Sequence, residues 1–232
     1  MKIVSNLKNL IVSPERKPHK IRAGLFRGIV MGLAPRSQSQ LYLGLFERET
    51  CCWLNHLSEG ITTAIDIGVT HGEYTLYILL KTKATKVFAF DPNVETARIL
   101  DENLRLNGMA NSERLEVSSK LVGGSDTEQE IRLDSLAVSI VAPCLVKMDV
   151  DGAEEQILKG AKLFNELQGI RWLIETHSRE LEIACQSILS AAGLQTKIIH
   201  NEWWRVFVPE LRPIEHNRWL AAWKSEGLCN LD

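Results

Sequence analysis

Four acids stand where short apolar runs end. Asp66, Asp91, Asp149 and Glu175 each close such a run, and His177 follows two residues after Glu175. Carboxylates and an imidazole in such places can accept hydrogen bonds from ligand hydroxyls, take protons, or ligate cations. The first acid opens the stretch "DIGVTHGEYT", residues 66–75, in which Gly68 and Gly72 bracket three residues. Glycines let a loop turn through left-handed backbone and let a ligand approach main-chain N–H groups. The helical pattern beginning at Gly72 adds its own free N–H groups facing the same way.

Three nucleotide ligands compete for this loop. A phosphate-binding P-loop needs G-x-x-x-x-G-K-[ST], and no Lys-Ser/Thr pair follows Gly72, which disfavours ATP hydrolysis. A dinucleotide loop needs G-x-G-x-x-G, and only G-x-x-x-G is present, so an NAD(P) oxidoreductase is a weak reading. The remaining pattern is D-x-G-x-x-x-G with an acid, Asp91, ending the next apolar run. An acid there can accept hydrogen bonds from both ribose hydroxyls of an adenosine. The arrangement resembles the nucleoside site of S-adenosylmethionine (SAM)-dependent methyltransferases.

The elements that must position these residues follow a strand–turn–helix rhythm from residue 61 onward. Strands are expected at "ITTAIDIG", "KVFAFDP", "RLEVSS", "CLVKMDV", "IRWLIETH" and "LQTKIIH". Helices are expected at "GEYTLYILLKTK", "NVETARILDENLRLNG" (Asn93 as N-cap, Gly108 as stop), "DGAEEQILKGAKLFNEL" and "SRELEIACQSILSAAG". Of the two aromatic segments near the end, "EWWRVFVP" and "NRWLAAWK", at least one is expected to close the sheet as an antiparallel strand. The prediction is an α/β fold: a Rossmann-like, seven-stranded, mostly parallel sheet with helices on both faces and a terminal antiparallel strand. Residues 59–232 form that domain. Residues 1–58 precede it as a basic arm, extended or loosely helical over the first forty residues, and a covering helix over 41–58. That helix is expected to turn Leu43, Phe46, Trp53, Leu54 and Leu57 inward. Asp134 is expected to cap a short helix of its own.

Four blocks, "AIDIGVTHGEYTL", "VFAFDPNVETARILDENLRLNG", "VKMDVDGAEEQILKGA" and "LIETH", together resemble the FkbM-type methyltransferases over roughly residues 60–200, the third block being the most specific. The resemblance implies methyl transfer from SAM, mostly to hydroxyls of small molecules or sugars. The cofactor set it implies is Asp66, Gly68, His71, Gly72, Tyr74, Thr75, Asp91, Pro92 and Asn93. Two departures stand out. The family's Ala-Asn is Val69-Thr70 here, and a β-branched Thr adopts the left-handed conformation poorly. The segment ahead of Asp134 is also short for the family.

The catalytic candidates are His177, Glu175 and Asp149. Methyl transfer is an in-line displacement governed by positioning, and a hydroxyl acceptor must also lose a proton. Glu175 and His177 lie two residues apart on a strand end and point the same way, with His177 as base and Glu175 orienting it or the acceptor. Ser178 offers a cap to the following helix. Asp149 sits near the methionine end of SAM or the acceptor, whereas Asp151 reads most simply as a helix N-cap. Together these groups could hold a divalent ion, but nothing in their spacing requires one, and no metal is expected. His71 contacts the ligand carboxylate or points to solvent. Lys147, inside a buried strand, needs an acidic partner. The tryptophans of the last thirty residues either pack the terminal hairpin or offer an acceptor platform.

Bulk properties narrow the class further. The 232 residues carry a net charge of −2, but residues 1–40 hold eight Lys/Arg against Glu15 alone. Such an arm is a solvated terminus or a peripheral contact for anionic lipid or an acidic partner. Five cysteines without a C-x-x-C pair suggest reduced thiols in a cytoplasmic protein. No apolar run reaches the ~18 residues of a membrane span. Nucleic-acid bases are not expected as acceptors, because no [ND]-P-P-[YFW] motif is present. The second class of function is a SAM-binding or degenerate methyltransferase-like interaction module without turnover.

Overall fold

The structure, a computed structural model, describes residues 14–206 and 216–224. Lys2, Lys8, Cys229 and residues 207–209 of the first aromatic segment lie outside the described residues. The described chain opens with a hairpin in which β1 (Lys17–Lys20) pairs antiparallel with β2 (Val30–Leu33). Over the described part of the arm, this hairpin stands where an extended or loosely helical chain was expected. Burial alternates along β2, with Met31 and Leu33 inward, and Ile21, Phe26 and Ile29 between the strands are buried as well. The backbone N–H groups of Val30 and Gly32 donate to the side chains of Asn107 and Asn103, both on the neighbouring helical segment. Apolar burial and these side-chain acceptors together dock the hairpin on the domain.

The continuous helix expected over 41–58 is instead broken into α1 (Ser39–Leu43), a 3₁₀ turn (Arg48–Thr50) and α2 (Cys51–Leu57). Gly44 ends α1 in the left-handed conformation, a common C-terminal stop, and Glu47 adopts the same conformation at φ 45°. The break leaves Leu43 49% exposed, while Leu54 and Leu57 are buried as expected.

The order then becomes β3 (Thr63–Ile67), α3 (Glu73–Lys81), β4 (Lys86–Phe90), α4 (Val94–Leu106) and β5 (Leu115–Ser118). Two short strands, β6 (Leu121–Val122) and β7 (Glu130–Ile131), and α5 (Leu133–Leu136) lead to β8 (Cys144–Met148). Next come α6 (Glu154–Lys159), α7 (Lys162–Glu166), β9 (Ile170–Thr176), α8 (Arg179–Ala191), β10 (Gln195–Ile199) and β11 (Arg218–Trp223). Seven strands form one sheet in the order β10-β11-β9-β8-β3-β4-β5. The β9-β8-β3-β4-β5 run is parallel, and β11 is antiparallel to both β9 and β10. This is the Rossmann-like sheet the sequence predicts. The central strands β3, β8 and β9 are buried at every residue, as strands covered on both faces must be.

Successive residues feed two cores. Ala64, Leu145 and Leu173 face the hairpin, α2, α3 and α4. Ile65, Val146 and Trp172 face α5 to α8. The single helix expected over 151–167 breaks after Lys159, and Asp134 accepts from the N–H of Phe164 at 2.9 Å, so it serves α7 rather than its own helix. Asn93 and Ser178 do cap α4 and α8, accepting from Glu95 and Leu181. No helix among the described residues is long and apolar enough to cross a membrane. From β3 the chain runs outward to β4 and β5, then returns to β8 on the other side. The carboxyl ends of β3, β4, β8 and β9 therefore border the sheet's switch point, where open α/β sheets bind ligands.

Candidate active site

The loop after β3 is held from beneath. Asp66 is fully buried; its Oδ2 accepts from Thr75 Oγ1 at 2.6 Å, and its Oδ1 lies 3.5 Å from Lys147 Nζ. Lys147 donates to the carbonyl of Gly68 at 2.7 Å. Burial alone would lower the Lys147 pKa, but the charges of Asp66, Asp149, Glu47 and Glu73 outweigh it and hold the ammonium above its ordinary value. Asp66 and Thr75 thus lie under the loop rather than on its ligand side. Lys147 has the acidic partner its buried strand position demands.

Above them, Gly68 at φ 82° and Gly72 at φ 86° form the two bends. A Cβ at Gly68 would meet the Asp149 carbonyl at 1.8 Å, and one at Gly72 would meet Leu100 Cδ1 at 2.5 Å. Backbone leaves no room for a side chain at Gly68, and one at Gly72 would have to displace Leu100; both positions also need the left-handed backbone that favours glycine. Thr70 stands between them in the left-handed region at φ 53°, despite its β-branch. Its N–H donates to Asp91 Oδ2 at 3.1 Å, and Asn93 N–H donates to Asp91 Oδ1 at 2.9 Å. Each Asp91 oxygen keeps a second acceptor site. The His71 carbonyl accepts from Asn103 at 2.8 Å, which ties the same loop to α4.

A cleft of about 370 Å³ opens over the carboxyl ends of β3, β8 and β9. Of the residues singled out by sequence, Phe46, Thr70, His71, Tyr74, Lys147, Asp149, Asp151 and Glu175 line it, whereas Asp91, Pro92 and Asn93 lie outside its wall at the end of β4 and His177 is not part of the lining. Among the cleft residues that the sequence did not single out, three are ionisable: Glu47, Glu73 and Arg205. Glu47 was hidden by the expected continuous helix. The break at Gly44 carries it onto the cleft, where its carboxylate hydrogen-bonds the Tyr74 hydroxyl. Burial, then the Asp149 charge, pushes Glu47 well above the usual carboxylate range, against Tyr74 and Lys147. Burial raises Glu73 as well, opposed first by His71. Arg205 forms a buried ion pair with Glu49 at 2.7 Å, joining the 3₁₀ turn near α2 to the segment after β10.

Beyond β8 and β9, Asp149, Glu175 and His177 come together as the sequence predicts. His177 Nε2 is 3.5 Å from Asp149 and 3.6 Å from Glu175. The residue that holds the ring is Glu154, which contacts Nδ1 at 2.8 Å. Burial would lower the His177 pKa, but the bond to Glu154 and the charges of Asp149 and Asp151 raise it. Glu175 is pushed well above the usual carboxylate range by burial, then by Asp149 and Glu47. Asp151 does not cap the next helix: it sits at φ 52°, and α6 begins only at Glu154. The cleft thus combines carboxyls held toward their protonated form with basic groups close by, a setting suited to moving a proton.

The tryptophans divide. Trp219 and Trp223 are buried, stacked near Tyr74 and Trp53 with centroids 6.0 and 5.5 Å apart, so they pack the closing strand. Trp203 is exposed.

No protein-family model matches the chain, and no curated protein matches it. Solved structures do. The methyltransferase FkbM from Methylobacillus flagellatus KT superimposes with a TM-score of 0.54 at 21% identity, over 70% of this chain and 43% of that one. The chain therefore spans less than half the length of that protein. A precorrin-6y C5,15-methyltransferase from Geobacter metallireducens GS-15 gives 0.52 at 12% identity, over 78% and 89% of the two chains. An rRNA methylase from Streptococcus thermophilus gives 0.52 at 14%, over 77% and 98%. The fold is that of methyltransferases.

Proposed function

We propose that the chain binds SAM on the loop 68–72 and Asp91 and transfers its methyl group to an oxygen of a small-molecule or glycan acceptor. The observation that carries this reading is the coincidence of four features at one switch point. They are the methyltransferase strand order, the two obligatory glycines, an acid ending β4 with acceptor capacity to spare, and a cleft over the neighbouring strand ends. The FkbM neighbour shares the fold that the sequence resemblance implies.

The residues present fit the group. Asp91 would take the ribose hydroxyls through its remaining acceptor sites, with Pro92 and Asn93 flanking the base. The backbone at Gly68 and Thr70 would border the rest of the nucleoside. His71 and Tyr74 would face the methionine end inside the cleft, while Asp66 and Thr75 keep the loop in place from below. Bound SAM supplies a methyl group on a positively charged sulfonium. His177 would then receive the acceptor's single proton, with the Asp149 and Glu175 carboxyls flanking the ring that it charges.

The test is methyl transfer from SAM carrying a labelled methyl group, with separate panels of hydroxyl-bearing small molecules, glycans and structured RNA. Label on a hydroxyl acceptor supports the reading. Label on RNA alone overturns the acceptor class. Binding of SAM with no label on any component of a cell extract favours the module without turnover.

A further inference from the structure

We infer that Asp149, Asp151 and His177 form a divalent-cation site at the inner end of the cleft, with the Glu175 carboxylate at its edge. The three residues come from two adjacent strand ends, Asp149 and Asp151 after β8 and His177 after β9. One ligand atom from each lies within 4.8 Å of the other two. Around an octahedral ion with bonds of about 2.1 Å, neighbouring ligands are about 3 Å apart and opposite ones about 4.2 Å. The cluster fits that spacing without large movement.

Acids in proximity are not enough, and a second observation separates this cluster from an ordinary acidic surface. The Nδ1 face of His177 is engaged by the fully buried Glu154, which leaves Nε2 as the atom facing the carboxylates. There Nε2 lies 3.2 Å from Asp151, 3.5 Å from Asp149 and 3.6 Å from Glu175, yet it makes no hydrogen bond. Glu175 Oε2, on a side chain 3% exposed, is likewise without a hydrogen-bond partner and is the atom nearest the ring. These two buried polar atoms face one point without a hydrogen bond of their own, and a shared cation would satisfy both. A carboxylate holding the far nitrogen is also the usual support of a metal-bound histidine. Asp151 contributes through its left-handed backbone, which turns its carboxylate back toward the ring rather than onto α6.

Oxygen ligands with one imidazole suit manganese and related divalent ions better than a soft-metal site. Asp149, Asp151 and Glu175 also line the cleft, so the ion's remaining coordination positions would face the acceptor. With the ion bound, His177 is a ligand, and the ion takes over from it the easing of the acceptor's proton loss. If the methyltransferase reading holds, and this step rests on it, the favoured acceptor carries two oxygens able to chelate, such as vicinal hydroxyls or a hydroxy acid.

Titration of the full chain with Mn²⁺, followed by loss of the free-ion electron paramagnetic resonance signal, tests the site directly. One saturable site is expected. Asp151→Asn and His177→Gln should each weaken it by about tenfold or more, while Asp101→Asn, in α4, should not. Asp151 is 63% exposed at its side chain, so its variant keeps the fold even where His177→Gln does not. Absence of saturable binding, or equal binding by wild type and a folded Asp151→Asn, overturns the site. Parallel titration with S-adenosylhomocysteine separates the two proposals. Binding of that nucleoside without Mn²⁺ binding removes the cation site alone, and the converse removes the cofactor reading alone.

Discussion

The carboxylate of Asp91 receives the main-chain N–H of Thr70 at 3.1 Å, linking the end of β4 to the centre of the loop after β3. Thr70 sits in a conformation that costs a non-glycine residue about 1–2 kcal/mol. Asp91 therefore stabilises a strained loop as well as presenting acceptor sites beside it. The loop is formed despite a residue poorly suited to its centre.

Replacing Thr70 with Asn, which tolerates left-handed backbone, should relieve part of this strain. Thr70→Asn is expected to raise the melting temperature by about 2–4 °C, the effect of about 1 kcal/mol in a chain of this size. Differential scanning calorimetry reads the change. A lower melting temperature would show that Thr70 makes a compensating contact the strain argument leaves out.

The sheet and most of its helices were legible because their signals are local and repeated. Apolar runs such as "LVKMDV" are buried on both faces, and Asn93 and Ser178 mark helix starts by side-chain capping. The grouping of Asp149, Glu175 and His177 was legible too, since adjacent parallel strands bring their carboxyl ends together. What the sequence hid depended on partners distant in the chain. The hairpin over 17–33 is held by Asn103 on α4 and Asn107 at its C-terminal end, more than seventy residues away. Glu47 reaches the cleft only because the backbone bends at Gly44 and Glu47 itself, which a helical period cannot reveal. Glu154, in the helical stretch "GAEEQ", is fully buried against His177, a contact with no sign in the sequence.

Lys147 neutralises Asp66 in the core and holds the Gly68 carbonyl. Lys147→Met keeps the side-chain bulk but leaves Asp66 buried without its cation. Losing one partner of a buried pair costs about 3–5 kcal/mol. Urea unfolding should register a loss of that order, and Asp66→Asn introduced with Lys147→Met should recover part of it. A stability equal to wild type in the single variant would contradict the pairing.

The raised Glu47 pKa gives a pH dependence with a definite sign. A carboxyl that binds its proton more tightly when folded contributes stability below its unfolded value, ordinarily 4.5. That contribution is lost as pH rises through the folded value. Glu47→Gln imitates the protonated form and still accepts from Tyr74. The variant should melt like wild type near pH 4.5 and about 2–4 °C higher at pH 8. Melting curves across that range check the trend, and a gap that stays constant or narrows toward alkaline pH would contradict it.

The central claim is that the loop 68–72 and Asp91 hold the nucleoside of SAM. Isothermal titration of the full chain with S-adenosylhomocysteine, repeated in excess NAD⁺ and with Asp91→Ala, tests it most directly. The expected result is one saturable site that NAD⁺ does not displace and that Asp91→Ala weakens by at least about tenfold, or about 1.4 kcal/mol. No binding heat, displacement by NAD⁺, or equal affinity in a folded Asp91→Ala variant would contradict the account.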